Sequence, residues 1–269
     1  MKKTLTFIAT LLFALVIAFP LFYTLSASFF QIQDFTSNPA RIITSGITLE
    51  NYTRALGHNY YLRYLFNSLV MVLLGTTLRL VIAFMAAYAF ATFHFKGKEL
   101  CFLLLIGTMF FPSDVLLQQN YLTVVHMGLK NTYLGLVIPS LLGVSQIIVL
   151  RLFFLSVPGA IYDSAKIDGA GDLTIIRHIL APLSTSLTAS LSLQTGLSFF
   201  NSYLWPLIIT DKANMRTIQV GITMLGFSES LDYGPLFAAI SIILLPTMII
   251  FIFTRSLIVK ALTKNYLYT

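Results

Sequence analysis

The sequence predicts an all-α integral membrane protein with six transmembrane helices. Three observations carry this expectation. Of 269 residues, 57% are apolar and only 10% are charged, against about 25% charged in a typical soluble domain. The apolar residues gather into runs of at least the ~20 residues a helix needs to cross the hydrocarbon core. The basic residues lie mostly between those runs, with a bias that sets an orientation. A mean hydropathy of +0.84 excludes a disordered chain and speaks strongly against a soluble globular enzyme.

The runs follow in order. Thr4 to Gln33 carries no charge and gives a span at about 5–29. Lys2 and Lys3 before it, with the small residues Ser26-Ala27-Ser28 near its end, resemble a signal peptide. The apolar run exceeds the usual ~7–15 residue core of such peptides, which favours an uncleaved anchor. Tyr64 to Phe93 carries one charge, Arg79, and gives 65–93. Leu100 to Ser113 is apolar, is interrupted by Pro112 and Asp114, and continues more mildly to Leu129, giving 100–122. Pro112, followed by Gln118, Gln119 and Asn120, suggests that this third span is broken, which lipid tolerates where the break lines a cavity. Asn131 to Leu150, Ile179 to Thr210 and Tyr233 to Thr254 are uncharged and give 132–154, 183–209 and 236–258.

With the N-terminus in the cytoplasm, the inner segments hold ten basic residues, among them Lys96, Lys98, Arg151, Lys166 and Arg177. The outer segments hold six, among them Arg41, Lys130, Lys212 and Arg216. The bias places both termini inside. It also accounts for the net charge of +7 without nucleic acid. One cysteine, Cys101, excludes a disulfide framework, and four scattered histidines give no metal-ligand spacing. No metal, catalytic constellation or cofactor bound by this chain is expected.

Residues 155–181 form a cytoplasmic loop of unusual character. Pro158 can open a helix, since its missing N–H costs nothing there. Ile161, Ala165 and Asp168 follow at helical spacing, and Gly169 and Gly171 break the helix. A second short helical stretch, Leu173 to Leu180, leads to Pro182, which can open the next span. Small residues here, including Ser164, Ala165, Gly169 and Ala170, permit close approach of another backbone, although composition alone favours an ordinary interfacial loop.

The spacing of this loop resembles that of importer permeases of the ATP-binding cassette class, whose cytoplasmic loop reads EAA, three residues, G, nine residues, I, one residue, LP. Here Asp163-Ser164-Ala165 is followed at matching intervals by Gly169, Ile179 and Ala181-Pro182. Asp163, Ser164 and Ala181 depart from the family letters. Ile167-Asp168-Gly169-Ala170 is similar to the form found in carbohydrate-uptake permeases. Asn67-Ser68, Ala87-Tyr88-Ala89-Phe90, Phe95-Lys96-Gly97-Lys98, Gly128-Leu129, Asn131-Thr132-Tyr133 and Tyr203-Leu204-Trp205-Pro206-Leu207 are also similar. The likeness is to the shorter permease subunit of maltose-type and glycerol-3-phosphate-type importers, from about residue 10 to 262.

The resemblance implies a type I importer permease fold in a bacterial or archaeal cytoplasmic membrane, with residues 1–269 as one permease domain. It implies a second permease subunit, two ATPase subunits carrying ATP and magnesium, and an extracytoplasmic solute-binding protein. It assigns Asp163, Ser164, Ala165, Asp168, Gly169, Ala170 and Pro182 to the loop that docks on the ATPase and transmits its closure. The chain has no GxxxxGK[ST] phosphate loop of its own.

Two features suggest a path. Ser186, Ser190, Gln194, Ser198 and Asn201 recur at intervals of three and four, so they share one helical face. In lipid such a face lines a path or glues helices together. Arg79 lies near the membrane centre, where an arginine costs roughly 2.5–3.5 kcal/mol even on insertion scales. It holds an anionic solute or pairs with the second permease subunit. Gly75, Thr76, Ala83 and Ala86 share its face. Tyr203 and Trp205 near the outer end either stack on a sugar or anchor the helix at the interface. The rival function is an ion-coupled secondary transporter. It calls for acids or histidines within several spans, and the spans lack them at mid-depth.

Overall fold

The computed structural model describes residues 2–37, 41–44, 46–57, 60–226 and 233–244. In chain order the helices are α1 (Lys2–Ala27), α2 (Ile32–Ser37), α3 (Glu50–Gly57), α4 (Tyr61–Thr92) and α5 (Lys98–Gly107). Then come α6 (Leu117–His126), α7 (Tyr133–Val137), α8 (Val144–Ser156), α9 (Gly159–Ile167) and α10 (Asp172–Ile175). The last are α11 (Ala181–Leu183), α12 (Thr185–Phe200), α13 (Leu204–Ile209), α14 (Ile218–Gly226) and α15 (Gly234–Leu244). No strand occurs among the described residues.

Among the described residues two helices are long and apolar enough to cross a membrane, Lys3–Ala27 and Tyr61–Thr92. A third span arises if Tyr133–Ser140 and Val144–Ser156, bent by 60° at their junction, count as one. Pro139 sits in the short 3-10 turn Ile138–Ser140 at that bend. The 100–122 stretch is interrupted too. α5 ends at Gly107, 3-10 turns occupy Thr108–Phe110 and Ser113–Leu116, and α6 follows, with Pro112 supplying no N–H to a continuous helix. The 183–209 stretch is likewise two helices, parted at Asn201–Tyr203. Pro206 explains the gap, because its ring and missing N–H forbid a regular turn back to residue 202. The expected span at 236–258 lies outside the described residues beyond Leu244, as do Arg255, Lys260 and Lys264.

The described residues fall into two compact units: those up to Leu65 with those from Ile218 on, and Phe66–Thr217. In the first, α1 presents an apolar surface that is exposed along almost its whole length. Buried polar groups tie the residues after it. Asn51 Nδ2 donates to the carbonyls of Ser28 (3.0 Å) and Phe30 (2.7 Å). Asp34, fully buried, pairs with Arg41 and accepts from Thr44 Oγ1 at 2.9 Å. Tyr61 OH donates to the Ala239 carbonyl at 2.8 Å.

The second unit has two cores. One packs Ala83, Phe84, Ala87 and Tyr88 of α4 against Ile147, Leu150 and Phe154 of α8, with Ala165, Ile175 and Leu180 of the loop that follows. The other packs Met71 against Val124, Leu136, Phe199, Trp205 and Ile209. Gly75 permits the second, since a Cβ there would lie 2.6 Å from the Phe199 ring. Asn67, fully buried, bridges three segments. Its Nδ2 donates to the carbonyls of Asn214 and Arg216, both at 2.9 Å, and its Oδ1 accepts from Tyr133 OH at 2.8 Å.

Candidate functional site

The loop between α8 and α12 is built as a two-faced knob. Pro158 precedes α9, and the Ile161 N–H reaches its carbonyl at 3.0 Å. α9 stops at Gly169, whose φ of 78° is left-handed. The Gly169 N–H donates to Lys166 O (3.0 Å) and the Ala170 N–H to Ala165 O (2.9 Å). That is the Schellman pattern, which satisfies the last carbonyls of a helix and wants glycine at this position. The motif's glycine is thus the residue that lets the chain turn from α9 into α10.

The inner face of the knob is held by the unit's own core. Ala165, Ile175 and Leu180 are buried, and Tyr162 and Ala170 pack against them. Tyr162 OH donates to the Phe154 carbonyl at 2.9 Å, and burial raises the Tyr162 pKa. Asp172 Oδ1 accepts from Tyr88 OH at 2.7 Å, which fastens the start of α10 to the far end of α4. The outer face carries Asp163, Ser164, Lys166 and Asp168, all exposed, with Ile167 at 86% and Leu173 at 70% exposure. Ser164 Oγ satisfies itself on the Ala160 carbonyl. Gly169 and Pro182 are exposed. After α10 the backbone widens to a π-helical turn over Ile176–Leu180. Ser184 Oγ then donates to Leu180 O at 2.7 Å before α12 begins.

α12 divides by face. Leu191, Thr195 and Phe199 are buried in the unit, whereas Ser186, Ser190, Gln194, Ser198 and Asn201 are all exposed. The polar stripe therefore points away from the chain's own core. Tyr203 is half-buried at the gap before α13. Trp205 is not an exposed ring. It is buried, and its Nε1 donates to the Gly135 carbonyl at 3.1 Å, so it packs the core and neither stacks on a sugar nor anchors at an interface. Packing against Leu136 and Val137 of α7 outweighs the preference of tryptophan for a wet edge.

Arg79 sits on the other side of α12 from the stripe. Its guanidinium carbon is 5.8 Å from the centre of the Phe199 ring. A Cβ on Gly143 would lie 3.0 Å from Arg79 Cγ and Nε, so the start of α8 stands directly beside it. Arg79 Nε and Thr76 Oγ1 are buried without hydrogen-bond partners. Nearby, Gln146 Nε2 donates to Thr195 Oγ1 at 3.1 Å, and Ser145 Oγ to Gln146 Oε1 at 3.0 Å. Among the described residues no carboxylate pairs with Arg79.

Two clamps were not legible as sites. Lys130 pairs with Asp211, and Asn131, at φ 57°, accepts the Asp211 and Lys212 N–H groups on its Oδ1. Arg151 lies 4.1 Å over the Phe102 ring and donates to the Phe90 carbonyl at 3.1 Å. No group of histidine, cysteine and acidic residues able to hold a metal occurs among the described residues.

No protein-family model matches the chain. The sn-glycerol-3-phosphate transport system permease protein UgpE of Agrobacterium fabrum is 30% identical over 260 residues, which cover 93% of this chain and 92% of that protein. The arabinooligosaccharides transport system permease protein AraQ of Bacillus subtilis is 29% identical over 218 residues, covering 81% and 78%. Among solved structures, a chain of a bacterial ABC transporter involved in the import of the acidic polysaccharide alginate matches with a TM-score of 0.85 at 20% identity, covering 95% of each chain. That match is one of fold. With a permease relative at 30% identity across nearly its full length, the chain belongs to the carbohydrate-uptake family of ABC importer permease subunits.

Proposed function

We propose that this subunit pairs with a second, different permease to form the path by which a carbohydrate or glycerol phosphate enters the cell. Two ATPase subunits, binding ATP and magnesium, drive the cycle from the cytoplasm, and a solute-binding protein delivers cargo from outside. The chain crosses the cytoplasmic membrane six times with both termini inside, the broken helix pairs α5–α6, α7–α8 and α12–α13 each counting as one crossing. The cargo class follows the relatives, which are named for sn-glycerol-3-phosphate and arabinooligosaccharides. Arg79, Gln194, Ser198, Asn201 and Tyr203 are the path residues in this reading.

The observation that carries it is the two-faced knob of residues 155–181. Asp163, Ser164, Ala165, Asp168, Gly169 and Ala170 form it, Pro182 follows it, and Ile167 and Leu173 stand out on its outer face. Large exposed apolar side chains on a short helix whose opposite face is locked into the core suit a docking element. The lock to α4 and α8 suits the transmission of motion to the spans. Ile167→Asp combined with Leu173→Asp tests this, since both residues are exposed and the core is left intact. The expected result is normal membrane insertion, loss of the ATPase from the purified complex and loss of ATP-driven uptake. Uptake and co-purification equal to those of the unaltered protein refute the docking role.

A further inference from the structure

We propose that Arg79 and the first turn of α8 together form an anion-binding station in the path, which takes the phosphate or carboxylate group of a charged carbohydrate or polyol. This rests on the importer reading above and narrows its cargo.

Arg79 stays protonated at any pH the cell meets. A cation in the middle of a span needs a counter-charge, and among the described residues this chain supplies none. The ring of Phe199 covers one face of the guanidinium region, and the buried Nε is left without a partner.

The start of α8 adds positive potential beside Arg79. α8 starts at Val144 beside Arg79, and Gly143 at its N-cap contributes no side-chain cap. The N–H groups of Val144, Ser145 and Gln146 are those that an α-helix leaves without intrahelical partners. Helix N-termini also carry a partial positive charge. Thr76 Oγ1 is a further unpartnered polar atom one turn from Arg79 on α4. Arg79 and the first turn of α8 are therefore neighbouring donors, and among the described residues no acid pairs with Arg79.

A permanent ion pair with a carboxylate of the second permease is the alternative, and it needs only the guanidinium fork. The break in the helix at residues 141–143 would then serve no purpose at this spot. An oxyanion with three oxygens uses both the fork and the backbone donors. Gly143 lets the start of α8 pack directly against Arg79, since a Cβ there would lie 3.0 Å from Arg79 Cγ and Nε and 2.6 Å from Gln146 Oε1.

The test uses the whole complex with its binding protein in proteoliposomes. Unaltered protein, Arg79→Gln, Arg79→Lys and Ser145→Asp are compared for ATP-driven uptake of glycerol 3-phosphate, digalacturonate and a neutral arabinose trisaccharide. Co-purification of the other subunits is measured in parallel. Ser145 is exposed at the start of α8, where an acid suits the helix and supplies Arg79 with an internal anion. The expected result is uptake of at least one charged solute, lowered about tenfold or more by Arg79→Gln and by Ser145→Asp and less by Arg79→Lys, with the complex intact. Uptake of only the neutral sugar, or of none of the charged solutes, overturns the proposal. Equal uptake in all four proteins overturns it too. Loss of the second permease on Arg79→Gln would identify Arg79 as a subunit contact and likewise overturn it. If the unaltered chain brings no ATPase with it, the importer reading itself fails.

Discussion

The hydroxyl of Tyr88, at the far end of α4, donates to Asp172 Oδ1 in the loop over 2.7 Å. Arg79 lies nine residues earlier on the same helix, about 13 Å along its axis at the helical rise. This hydrogen bond therefore links the knob read as the ATPase dock to the helix that carries Arg79.

Tyr88→Phe removes that bond while keeping the buried ring. It is expected to cost about 1.5–3 kcal/mol of stability, as hydrogen bonds to charged groups do. Uptake per ATP hydrolysed should fall, because knob and helix no longer move together. Asp172→Asn should do the same, and the double variant should be little worse than either single one. Fully additive effects in a double-mutant cycle would show that the two groups do not act as a pair.

Gly169→Ala places a Cβ on a residue with φ of 78°. The expected cost is about 1 kcal/mol, read as a lower unfolding midpoint of the complex and weaker retention of the ATPase. Gly169→Asn should be milder, since asparagine enters the left-handed region more easily. Equal behaviour of the two would contradict the Schellman account of the turn.

Gly75→Ala drives a methyl group to within 2.6 Å of the Phe199 ring unless something moves. Overpacking of this kind costs about 1–3 kcal/mol, and it also displaces the ring that lies against Arg79. Phe199→Leu in the same chain should restore part of the lost stability. A Gly75→Ala protein as stable as the original would refute the close contact.

The Lys130–Asp211 pair predicts a pH dependence. The carboxylate of Asp211 holds the Lys130 pKa above its usual 10.5 through their hydrogen bond. A pKa raised in the folded state gives a stabilisation that is complete below the unfolded value and disappears as pH rises through the folded value. The unfolding midpoint should therefore fall more steeply as pH rises above 10.5 in the original protein than in Asp211→Asn. Parallel curves for the two proteins would exclude the pair as a contributor.

The sequence made the long first and second helices legible, because hydropathy integrates over more than 20 residues and tolerates local error. Pro112 likewise marked the interruption between α5 and α6. The bend at 138–143 and the gap at 201–203 were less legible, because an apolar run looks continuous whether or not the backbone is. Their signals were Pro139 and Pro206. The period of the Ser186–Asn201 stripe could be read directly, but its outward direction depends on which residues of α12 meet α4 and α8, and only packing decides that. The burial of Trp205 is hidden for the same reason, since its hydrogen-bond acceptor, the Gly135 carbonyl, lies 70 residues away. The loop motif placed Gly169 at the turn. It gave no weight to Asp172, whose partner Tyr88 was visible only as part of a separate similarity.

The most direct measurement is purification of the tagged chain from its own membrane in mild detergent, with mass determination of the intact assembly. One copy of this chain with a second hydrophobic permease and two ATPase subunits is the expected composition. A chain that comes out alone, or only with copies of itself, under conditions that preserve known complexes would contradict it.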